Sequence, residues 1–598
     1  MDLHLTAAQP TLEEKAAVDA AVVEPPERDQ LLPVLHAIQA SRGWISPGAL
    51  NYASLRLGLP PAETHGVASF YGMFSMTPRA RVVAHVCEDI ACLTRGAGKL
   101  CEEMEARLGP AGSGADAAWL RSPCLGLCER APAALVTAAG KTPRERVIAP
   151  GAPETIEAAI RLAVDGNLSE SPDFLDTRLS VPQAGAGQLR LMRRVGVTNP
   201  MSLADYRRLG GYEALARAFE LGPQGVVREV IESRLLGRGG AAFPAGKKWE
   251  ALLAPRMPGR PRYIVCNADE SEPGTFKDRV LMEGDPFAIL EGMTIGALAT
   301  GARRGYIYVR GEYPLAARRV AGAIASARDA GLLGENILGR GLCFDIELRR
   351  GAGAYICGEE TALFNSIEGY RGEPRNKPPY PTECGLFRQP TAVNNVETLM
   401  NIPEIIRIGA AAYARIGTEK STGYKLYCVC GHVSSPGVYE TPFGPTLREL
   451  IAMAGGVSGS GRLQAVLLGG AAGAFVTPAE LDTPLTFEGT RAIGATLGSG
   501  VVMLFDDTVD LKRILLRIAA FFREETCGQC VPCRIGAVRQ EETLHRLVHG
   551  HPHGPASAEL ATLREMGQAM RDASICGLGQ TASSALESAL NRWSLFHE

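Results

Sequence analysis

The sequence predicts a multidomain α/β protein that ends in a bundle of helices. Through the middle of the chain, β-rich runs such as YIVCNA and YIYVRGEY alternate with helical runs such as PFAILEGMTIGALATGA. From residue 507 onward the apolar residues recur at helical spacing, beginning LKRILLRIAAFF. The chain has 598 residues, enough to bury several cores, and this length favours roughly three to five domains.

The first three regions differ in their hydrophobic patterns. Residues 1–80 are predicted to be helical, because LLPVLHAIQASRG carries its apolar residues on one face and ends at Gly43. Residues 81–165 combine short strands such as RVVAHV and AALVTA with helices, which predicts a small α/β unit. Residues 166–190 are polar, contain Pro and Gly and lack periodicity, so we predict a linker.

The remaining three regions form the larger part of the chain. Residues 191–420 are predicted to be an α/β domain with many glycine-containing loops. Residues 421–506 contain LYCVCGHV, AVLLGG and TLRELIAMAGG, which predict a compact α+β module. Residues 507–598 are predicted to be a helical bundle, with three more helical segments after the first.

Composition excludes several classes of protein. The net charge is −3 and the pI is near 6.4, so nothing favours binding to nucleic acid or to an anionic membrane surface. No run reaches the roughly 18–20 uncharged apolar residues of a spanning helix, and the first thirty residues lack the apolar core of a secretory signal. Clustered cysteines in such a chain indicate metal ligands in a reducing compartment. We therefore expect a soluble, cytoplasmic protein.

Four cysteines near the C-terminus have the spacing of an iron–sulfur site. ETCGQCVPCRIG places Cys527, Cys530 and Cys533 on one loop, and Cys576 follows much later in SICGLGQ. A C-x2-C-x2-C triplet with a remote fourth cysteine favours a [4Fe–4S] cluster. Structural zinc is the alternative, although zinc sites usually pair one C-x2-C with another.

A second quartet lies in the N-terminal α/β unit. HVCEDIACLTRG contains Cys87 and Cys92, and SPCLGLCERAP contains Cys124 and Cys128. Both pairs follow short strands, so the ligands sit on two loops at one end of a small sheet, an arrangement that suits [2Fe–2S]. Zinc or a labile dithiol pair remains the alternative.

A glycine-rich segment, SRLLGRGGAAFPAGKKW, suggests a phosphate or ring-binding loop. Glycines let backbone N–H groups approach a ligand closely, and a following lysine supplies charge for phosphate. The residues concerned are Gly237, Gly239, Gly240, Gly246, Lys247 and Lys248. A structural turn is the alternative, since the spacing is not the G-x-G-x-x-G of a Rossmann unit.

Carboxylates follow two predicted elements in this region. NADESEPGTFKDR comes directly after a strand and GAGAYICGEETAL starts a helix; they contain Asn267, Asp269, Glu270, Glu272, Gly358, Glu359 and Glu360. Such groups suit hydrogen bonds to ribose hydroxyls and flavin edges, or they complement helix dipoles. The rigid PRNKPPYP carries Arg375 and Lys377, a reasonable clamp for a phosphate-bearing ligand.

These motifs together identify a resemblance. GRGGAAFPAGKKW, NADESEPGTFKDR, GAGAYICGEETAL, PRNKPPYP, PTAVNNVETL and ETCGQCVPC occur in order, and the chain resembles the NADH-binding flavoprotein subunit of respiratory complex I fused behind its thioredoxin-like [2Fe–2S] partner. The same fusion occurs in diaphorase subunits of NAD-reducing hydrogenases and NAD-dependent formate dehydrogenases. The resemblance, which covers residues 30 to 595, implies a thioredoxin-like ferredoxin domain, an FMN/NADH-binding domain, a ubiquitin-like SLBB module and a helical [4Fe–4S] domain.

The resemblance also implies a set of site residues. The FMN site falls on Gly237, Arg238, Gly239, Gly240, Lys248, Asn267, Asp269, Glu270, Tyr355, Gly358, Glu359, Asn394, Asn395 and Thr398. NADH contacts fall on Phe243, Glu272, Glu360, Lys377 and Tyr380. We expect a flavin-sized cavity near Gly239 and Glu359. Ala242 stands where many members have glycine, which requires a negative φ there.

The implied activity is that of a diaphorase. NADH delivers hydride to FMN, and single electrons leave through the [4Fe–4S] cluster, with the flavin carrying the chemistry. Glu270 and Glu359 are the predicted catalytic carboxylates, which position the nicotinamide and limit over-tight binding of NAD⁺. The [2Fe–2S] cluster is expected on the far side of the flavin.

The chain has no motif for a second substrate, so its electrons must pass to a partner subunit in a hetero-oligomer. RRVGVTNPMSLADYRRLGGY and MRDASICGLGQTAS favour the β-subunit of a molybdenum- or tungsten-dependent formate dehydrogenase. The diaphorase subunit of a hydrogenase is the alternative, and a fused complex I-like module is third. A non-enzymatic, zinc-stabilised scaffold is the opposing class.

Overall fold

The computed structural model describes residues 6–170, 175–253 and 259–596. The predicted helical N-terminus is helical in the structure, and its helices pack on one another and on the central domain. The helices are α1 (Leu12–Ala21), α2 (Leu31–Arg42), α3 (Pro47–Leu57) and α4 (Pro61–Ala68). Glycine ends α2 and α3 in the left-handed conformation, at Gly43 and Gly58, because it has no Cβ to clash there.

The second unit is a small four-stranded sheet with helices against it. Its elements are β1 (Val82–Cys87), α5 (Ile90–Thr94), α6 (Ala97–Leu108), β2 (Ala117–Ser122), β3 (Ala134–Ala138), β4 (Arg144–Ile148) and α7 (Pro153–Val164). The strand order is β2-β1-β3-β4, with β1 and β2 parallel and the other pairs antiparallel. The central strand β1 therefore delivers its last residue, Cys87, to one end of the sheet.

The largest unit is built on a mostly parallel sheet. Its helices are α8 (Leu175–Leu179), α9 (Leu203–Arg208), α10 (Glu213–Glu232), α11 (Ala245–Leu253), α12 (Lys277–Gly284), α13 (Pro286–Thr300), α14 (Pro314–Asp329), α15 (Glu360–Ile367), α16 (Pro381–Cys384), α17 (Val396–Ile408) and α18 (Ala410–Tyr413). Its strands are β5 (Tyr263–Ala268), β6 (Arg304–Val309), β7 (Gly334–Ile337), β8 (Leu342–Arg350) and β9 (Thr391–Asn395). They lie in the order β7-β8-β6-β5-β9, and only β7 runs antiparallel to its neighbour.

A third sheet and a helical region complete the fold. The third sheet contains β10 (Tyr424–Gly431), β11 (Gly437–Pro442), β12 (Leu463–Leu468), β13 (Ala474–Val476) and β14 (Val501–Asp506), with helices α19 (Leu447–Met453) and α20 (Phe487–Ala492). The helical region contains α21 (Leu511–Glu525), α22 (Val531–Val548), α23 (Ala556–Ala573), α24 (Gly577–Thr581) and α25 (Ser584–Arg592). Four helices follow α21, one more than the sequence predicts, because the five-residue α24 is too short to show periodicity.

The segment predicted to be a linker packs against other parts of the molecule where the structure describes it. Residues 171–174 lie outside the described ranges. The Val438 N–H donates to the Ser180 carbonyl at 2.8 Å, and the Glu440 N–H donates to Gln183 Oε1 at 2.7 Å. Single contacts of this kind have no periodic signature, so the sequence pattern gives no sign of them. In the described ranges, none of the helices combines the length and the apolar character that crossing a bilayer requires.

The close packing of α13 on α17 depends on a glycine, and we expect Gly292→Ala to destabilise the protein. A Cβ at Gly292 would overlap the carbonyl oxygen of Leu399, and overpacking typically costs about 1–3 kcal/mol. Alanine favours a helix by about 1 kcal/mol over glycine, so the net loss reflects the overlap. Calorimetric unfolding measures the effect. Gly98→Ala in α6 is the matched control, because no atom lies within 4 Å of its Cβ position; equal changes in both variants would contradict the packing argument.

Candidate functional site

The predicted flavin residues converge where two neighbouring parallel strands end. β5 and β9 pair with Asn267 opposite Asn395 and Cys266 opposite Asn394. The chain order reverses at β5, because β6 lies on one side of it and β9 on the other. In open parallel sheets, ligands bind in the crevice outside the carboxyl ends of the strands at such a reversal. The residues that follow β5 and β9 therefore stand where a binding site forms.

The glycine-rich loop lies against these strand ends. It closes with the Gly237 N–H donating to the Phe243 carbonyl at 2.9 Å. A Cβ at Gly239 would stand 3.1 Å from the Cβ of Asn395, and Gly240 has φ of +116°. Both positions favour glycine, since a side chain would push the loop away or strain it. The loop backbone thus lies directly beside a predicted flavin ligand.

Ala242 in this loop differs from the sequence expectation. Its φ is +53°, so the expectation of a negative φ is wrong. A non-glycine residue in the left-handed region costs roughly 1–2 kcal/mol. The loop carries this cost where many members of the family have glycine.

Two lysines and two glutamates form a chain of ion pairs beside the loop. Lys248, on α11, donates from Nζ to the Val393 carbonyl at 3.1 Å and lies 3.4 Å from Glu360 Oε2. The Lys377 Nζ donates to Glu359 Oε1 and to Glu360 Oε1, each at 2.8 Å. Positive charge suited to phosphate groups is therefore held at the mouth of the strand-end crevice.

Exposed aromatic rings accompany these charges. The predicted nucleotide contacts Phe243 and Tyr380 are 52% and 57% exposed, which is unusual for large aromatic side chains. The Lys248 ammonium lies 5.7 Å from the centroid of the Phe243 ring. Exposed rings next to lysines match the needs of a ligand that carries both aromatic bases and phosphates.

The acidic loop after β5 connects to the start of α15. The Asn267 Nδ2 donates to the Gly358 carbonyl at 2.8 Å, and the Ser271 hydroxyl donates to Asp269 Oδ2 at 3.3 Å. Burial raises the pKa of Asp269 well above its ordinary value. Both predicted flavin-binding loops are thereby joined at one point.

The two predicted catalytic carboxylates both cap helices. Glu270 accepts two backbone N–H groups at the start of α12, at 2.8 and 2.9 Å, and burial raises its pKa to about 8, with a further contribution from the Asp278 carboxylate. One oxygen of Glu359 accepts two N–H groups at the start of α15, at 2.8 and 2.9 Å. The helix-dipole alternative left open by the sequence thus describes the geometry of both. Their effect on the nicotinamide stays a prediction.

Two arginines in the predicted loops turn into the protein. Arg238 is fully buried, its Nη2 donates to the Thr422 carbonyl at 2.7 Å, and its backbone N–H donates to Thr398 Oγ1 at 2.9 Å. Arg375 donates from Nε to Asn365 Oδ1 at 2.9 Å. Both guanidinium groups hold segments of the protein together, whereas Lys377 stays at the surface of the site.

Sequence reasoning missed a buried ionic cluster under the site. Lys277 lies 3.0 Å from Glu397, and Lys425 lies 2.7 Å from the same carboxylate. Burial opposes ionisation, but Lys425 and Lys277 hold the pKa of Glu397 below its ordinary value. Lys277 also lies 3.3 Å from Asn395 Oδ1. The signal was present in GTFKDR and NNVETL, where charged residues stand inside otherwise buried motifs.

Tyr355 links the acidic loop to the C-terminal cysteine loop. Its hydroxyl donates to Glu272 Oε2, while the Ala472 N–H donates to Glu272 Oε1 at 2.8 Å. The Tyr355 N–H donates to Glu525 Oε2 at 2.8 Å, and its ring centroid lies 5.0 Å from that of Phe521. Burial raises the pKa of Glu272 to about 7.

Cavities flank the glycine-rich loop. One of 550 Å³ has Cys124 and Cys527 in its wall, so it lies between the two cysteine-bearing loops. A cleft of 860 Å³ is lined by Thr361 and neighbouring residues of the N-terminal helices. Neither lining includes Gly239 or Glu359, so the cavity expected at those two residues stays a prediction.

The C-terminal cysteines gather around two helix starts. Cys530 precedes α22 and Cys576 precedes α24, positions where the helix dipole favours a thiolate. Burial raises the pKa of Cys533 to about 12, and the charges of Cys530, Cys576 and Cys527 add to the increase. The four thiols are therefore close enough to influence one another.

The N-terminal cysteines gather at one end of the small sheet. Cys87 ends β1, Cys92 lies in α5, and the Sγ atoms of Cys124 and Cys128 are 3.5 Å apart. All four are buried. Hydrogen bonds from Cys128 and Cys87 hold the pKa of Cys124 well below its ordinary value.

The donor sets fit iron–sulfur clusters at both places, because each brings four thiols and no other ligand type together. Among the residues that the structure describes, no three His, Cys, Asp or Glu side chains are arranged to hold a single metal ion. The glycine loop, Lys248 and the ends of β5 and β9 fit a phosphate-bearing aromatic ligand such as FMN.

Four family models match consecutive parts of the chain. They are the thioredoxin-like [2Fe-2S] ferredoxin at residues 20–159, the Nuo51 FMN-binding domain at 230–404, the SLBB domain at 426–471 and the NADH-ubiquinone oxidoreductase-F iron-sulfur binding region at 513–595. These matches confirm the predicted fold class and cofactors. They also decide against zinc at the two cysteine quartets.

Relatives and solved structures are similar over long stretches. An F-type NADH-quinone oxidoreductase subunit of Rhizobium meliloti (strain 1021) is 44% identical, covering 67% of this chain and 95% of the relative. NADP-reducing hydrogenase subunit HndC of Solidesulfovibrio fructosivorans is 43% identical, covering 69% and 83%. A crystal structure of NAD⁺-reducing [NiFe]-hydrogenase in the air-oxidized state aligns with a TM-score of 0.79 and 31% identity, covering 94% of this chain and 92% of that one.

We expect Glu272→Gln to change how stability depends on pH. Because the folded pKa of Glu272 is raised from 4.5 to about 7, the native chain binds a proton that the unfolded chain has released, and its stability falls as the pH rises through this window. Gln cannot ionise, so the stability of the variant relative to wild type should increase by about 1–3 kcal/mol from pH 5 to pH 8.

Thermal unfolding at several pH values measures this difference. Glu102→Gln removes the same charge from the exposed face of α6 and is the control. A stability difference for Glu272→Gln that stays constant from pH 5 to pH 8 would contradict the assignment.

Proposed function

The chain belongs to the family of the F-type subunits of NADH-quinone oxidoreductases, preceded by a thioredoxin-like [2Fe–2S] region, and on this premise we propose that it oxidises NADH at the carboxyl ends of β5 and β9. It is an NADH dehydrogenase-type oxidoreductase with domains for FMN, [2Fe–2S] and [4Fe–4S]. The observation that carries the placement of the site is the convergence of the glycine loop with both strand ends.

The residues at the site divide into two binding tasks. Lys248 and Lys377 provide positive charge for phosphate groups, and Glu359 and Glu360 hold these lysines in place through their ion pairs. Phe243 supplies an exposed ring face for a nucleotide base. Holding two reactants in a fixed relative orientation lowers the entropic part of the barrier, and the protein contributes this orientation.

The cysteines are proposed as the cluster ligands. Cys527, Cys530, Cys533 and Cys576 would hold [4Fe–4S], and Cys87, Cys92, Cys124 and Cys128 would hold [2Fe–2S]. When bound, FMN supplies two-electron acceptance from NADH with one-electron release, and the clusters supply one-electron transfer. The bond from the Tyr355 N–H to Glu525 ties the flavin-side turn to the C-terminal cysteine loop.

Anaerobic reduction tests this function. We expect NADH under nitrogen to bleach the flavin absorbance of the purified chain. Cys576→Ser should remove the [4Fe–4S] electron paramagnetic resonance signal and about four of roughly six iron atoms per chain, with FMN retained. Cys343→Ser, at an exposed cysteine outside both quartets, should change neither quantity. A colourless wild-type protein, or a Cys576→Ser variant with an unchanged signal, would contradict the proposal.

We further propose that the electrons pass to a molybdenum- or tungsten-dependent formate dehydrogenase subunit in the cytoplasm. The supporting features are the strings RRVGVTNPMSLADYRRLGGY and MRDASICGLGQTAS and the retention of all four N-terminal cysteines. A second candidate is a hydrogenase partner, favoured by the near full-length likeness to NAD⁺-reducing [NiFe]-hydrogenase.

An apolar surface surrounds the C-terminal cysteines and suits the partner. Val531 and Ile535 on α22 are 59% and 51% exposed, and Ile575 next to Cys576 is also exposed. Exposed apolar residues that cluster in this way are typical of protein interfaces. We propose that the subunit carrying the next iron–sulfur cluster docks here.

Copurification tests the partner and its docking surface together. Ile535→Asp should lower recovery of the partner at least tenfold, about 1.4 kcal/mol, because a carboxylate would be buried in an apolar interface. Leu55→Asp, at an equally exposed leucine on α3, is the control. Undiminished recovery with Ile535→Asp would contradict the surface.

The metal and substrate of the recovered complex identify the partner. Molybdenum or tungsten together with formate-dependent NADH formation supports the formate dehydrogenase. Nickel together with hydrogen-dependent NADH formation contradicts it and favours the second candidate.

A further inference from the structure

A single buried arginine bridges the predicted flavin loop and the N-terminal cysteine loop. Arg310 follows β6 directly and is buried. Its Nη1 donates to the Glu270 carbonyl at 2.8 Å, and its Nη2 donates to the Cys124 carbonyl at 2.6 Å. The two carbonyls belong to segments more than a hundred residues apart in sequence, so one planar group fixes their separation.

The charge of Arg310 has one nearby partner. Its Nη2 lies 2.6 Å from Glu312 Oε1, and the other oxygen of Glu312 is buried without a hydrogen bond. Arg279, which donates to the Gly126 carbonyl of the same cysteine loop, pairs with two carboxylates, those of Glu129 and Glu283. Arg310 is therefore the less neutralised of the two cations at this loop.

The charge acts on a sulfur atom of the quartet. Hydrogen bonds from the neighbouring thiols and the Arg310 guanidinium, working against burial, keep the pKa of Cys124 low. A guanidinium does not lose its proton in a protein, so this charge is fixed. In a buried site a fixed charge acts strongly, since little water screens it.

We propose that Arg310 is a positioning residue that sets the reduction potential of the [2Fe–2S] site and holds that site in register with the acidic loop after β5. One-electron reduction adds a negative charge to a cluster, and a fixed positive charge beside its ligand stabilises the reduced form. This inference rests on the proposed ligation of the cluster by the N-terminal quartet.

A redox titration of the full chain, followed by electron paramagnetic resonance of the [2Fe–2S] signal, tests the proposal. Arg310→Gln should lower the midpoint potential by about 59 mV or more, which corresponds to a tenfold change in the ratio of reduced to oxidised cluster. Glu312→Gln leaves Arg310 unbalanced and should shift the potential in the opposite direction. Arg310→Lys keeps the charge and should stay near wild type.

Two controls separate this role from simpler ones. Arg328→Gln removes an arginine from the exposed end of α14, where it pairs with Asp345, and should not move the potential. A purely structural role of Arg310 predicts loss of cluster content in both Arg310 variants, with an unchanged potential in what remains and no shift for Glu312→Gln. Opposite shifts in the Gln variants therefore support the proposal, and equal or absent shifts overturn it.

The remaining outcomes are also decisive. If Arg310→Gln does not fold, Glu312→Gln alone decides, because its upward shift requires the charge of Arg310. Cys92→Ser tests the ligation separately: loss of the [2Fe–2S] signal supports it, and persistence of the signal overturns the ligation and with it the inference. An unshifted potential in both Gln variants, with the signal lost in Cys92→Ser, overturns the role of Arg310 alone.

Discussion

The end of the central sheet depends on opposite charges that have no access to water. Lys277 and Lys425 both reach Glu397, at 3.0 and 2.7 Å, and all three side chains are fully buried. Removing one member of such a set costs about 3–5 kcal/mol, because the remaining charge loses its partner and has no solvent. The three residues come from α12, β10 and α17, so their pairing fixes these elements around the end of β9. Asn395 takes its position from the same set through Lys277 and Asp278.

The seam between the thioredoxin-like region and the flavin domain is held in part by arginines that donate to carbonyl groups. Arg279 reaches the Gly126 carbonyl and Arg310 reaches that of Cys124, both within the second cysteine loop. Asp89, which accepts the Cys124 N–H, lies 3.7 Å from Arg517 on α21. Hydrogen bonds to the backbone fix distance and direction more narrowly than apolar packing does. The loop that carries half of the quartet is therefore located by both neighbouring domains.

The sequence predicted the fold class and the order of the motifs because these depend on local patterns. Strand ends, glycine loops and cysteine spacing are local, and their convergence follows from parallel pairing of β5 and β9. Side-chain directions were not predictable, because they depend on distant segments. Arg238 lies in a glycine motif but turns to the Thr422 carbonyl, and Glu270 lies in an acidic run but caps α12. Lys277 and Glu397 stood inside motifs that the sequence identified, yet their pairing across the fold has no local signature.

The two cysteine quartets differ in their contact with solvent, and this difference separates their tasks. The N-terminal thiols are all buried, between the small sheet and the flavin domain, whereas Cys527, Cys530 and Cys576 are partly exposed. A cluster must come close to its electron acceptor, so only the C-terminal site offers a protein partner a direct approach. The apolar side chains of Val531 and Ile535 lie on that approach, and burying them in a complex would exclude water from the cluster. Because burial and nearby charge both set cluster potentials, docking at this face would change the driving force for electron exit, while the enclosed quartet would keep the environment that Arg310 and its neighbours give it.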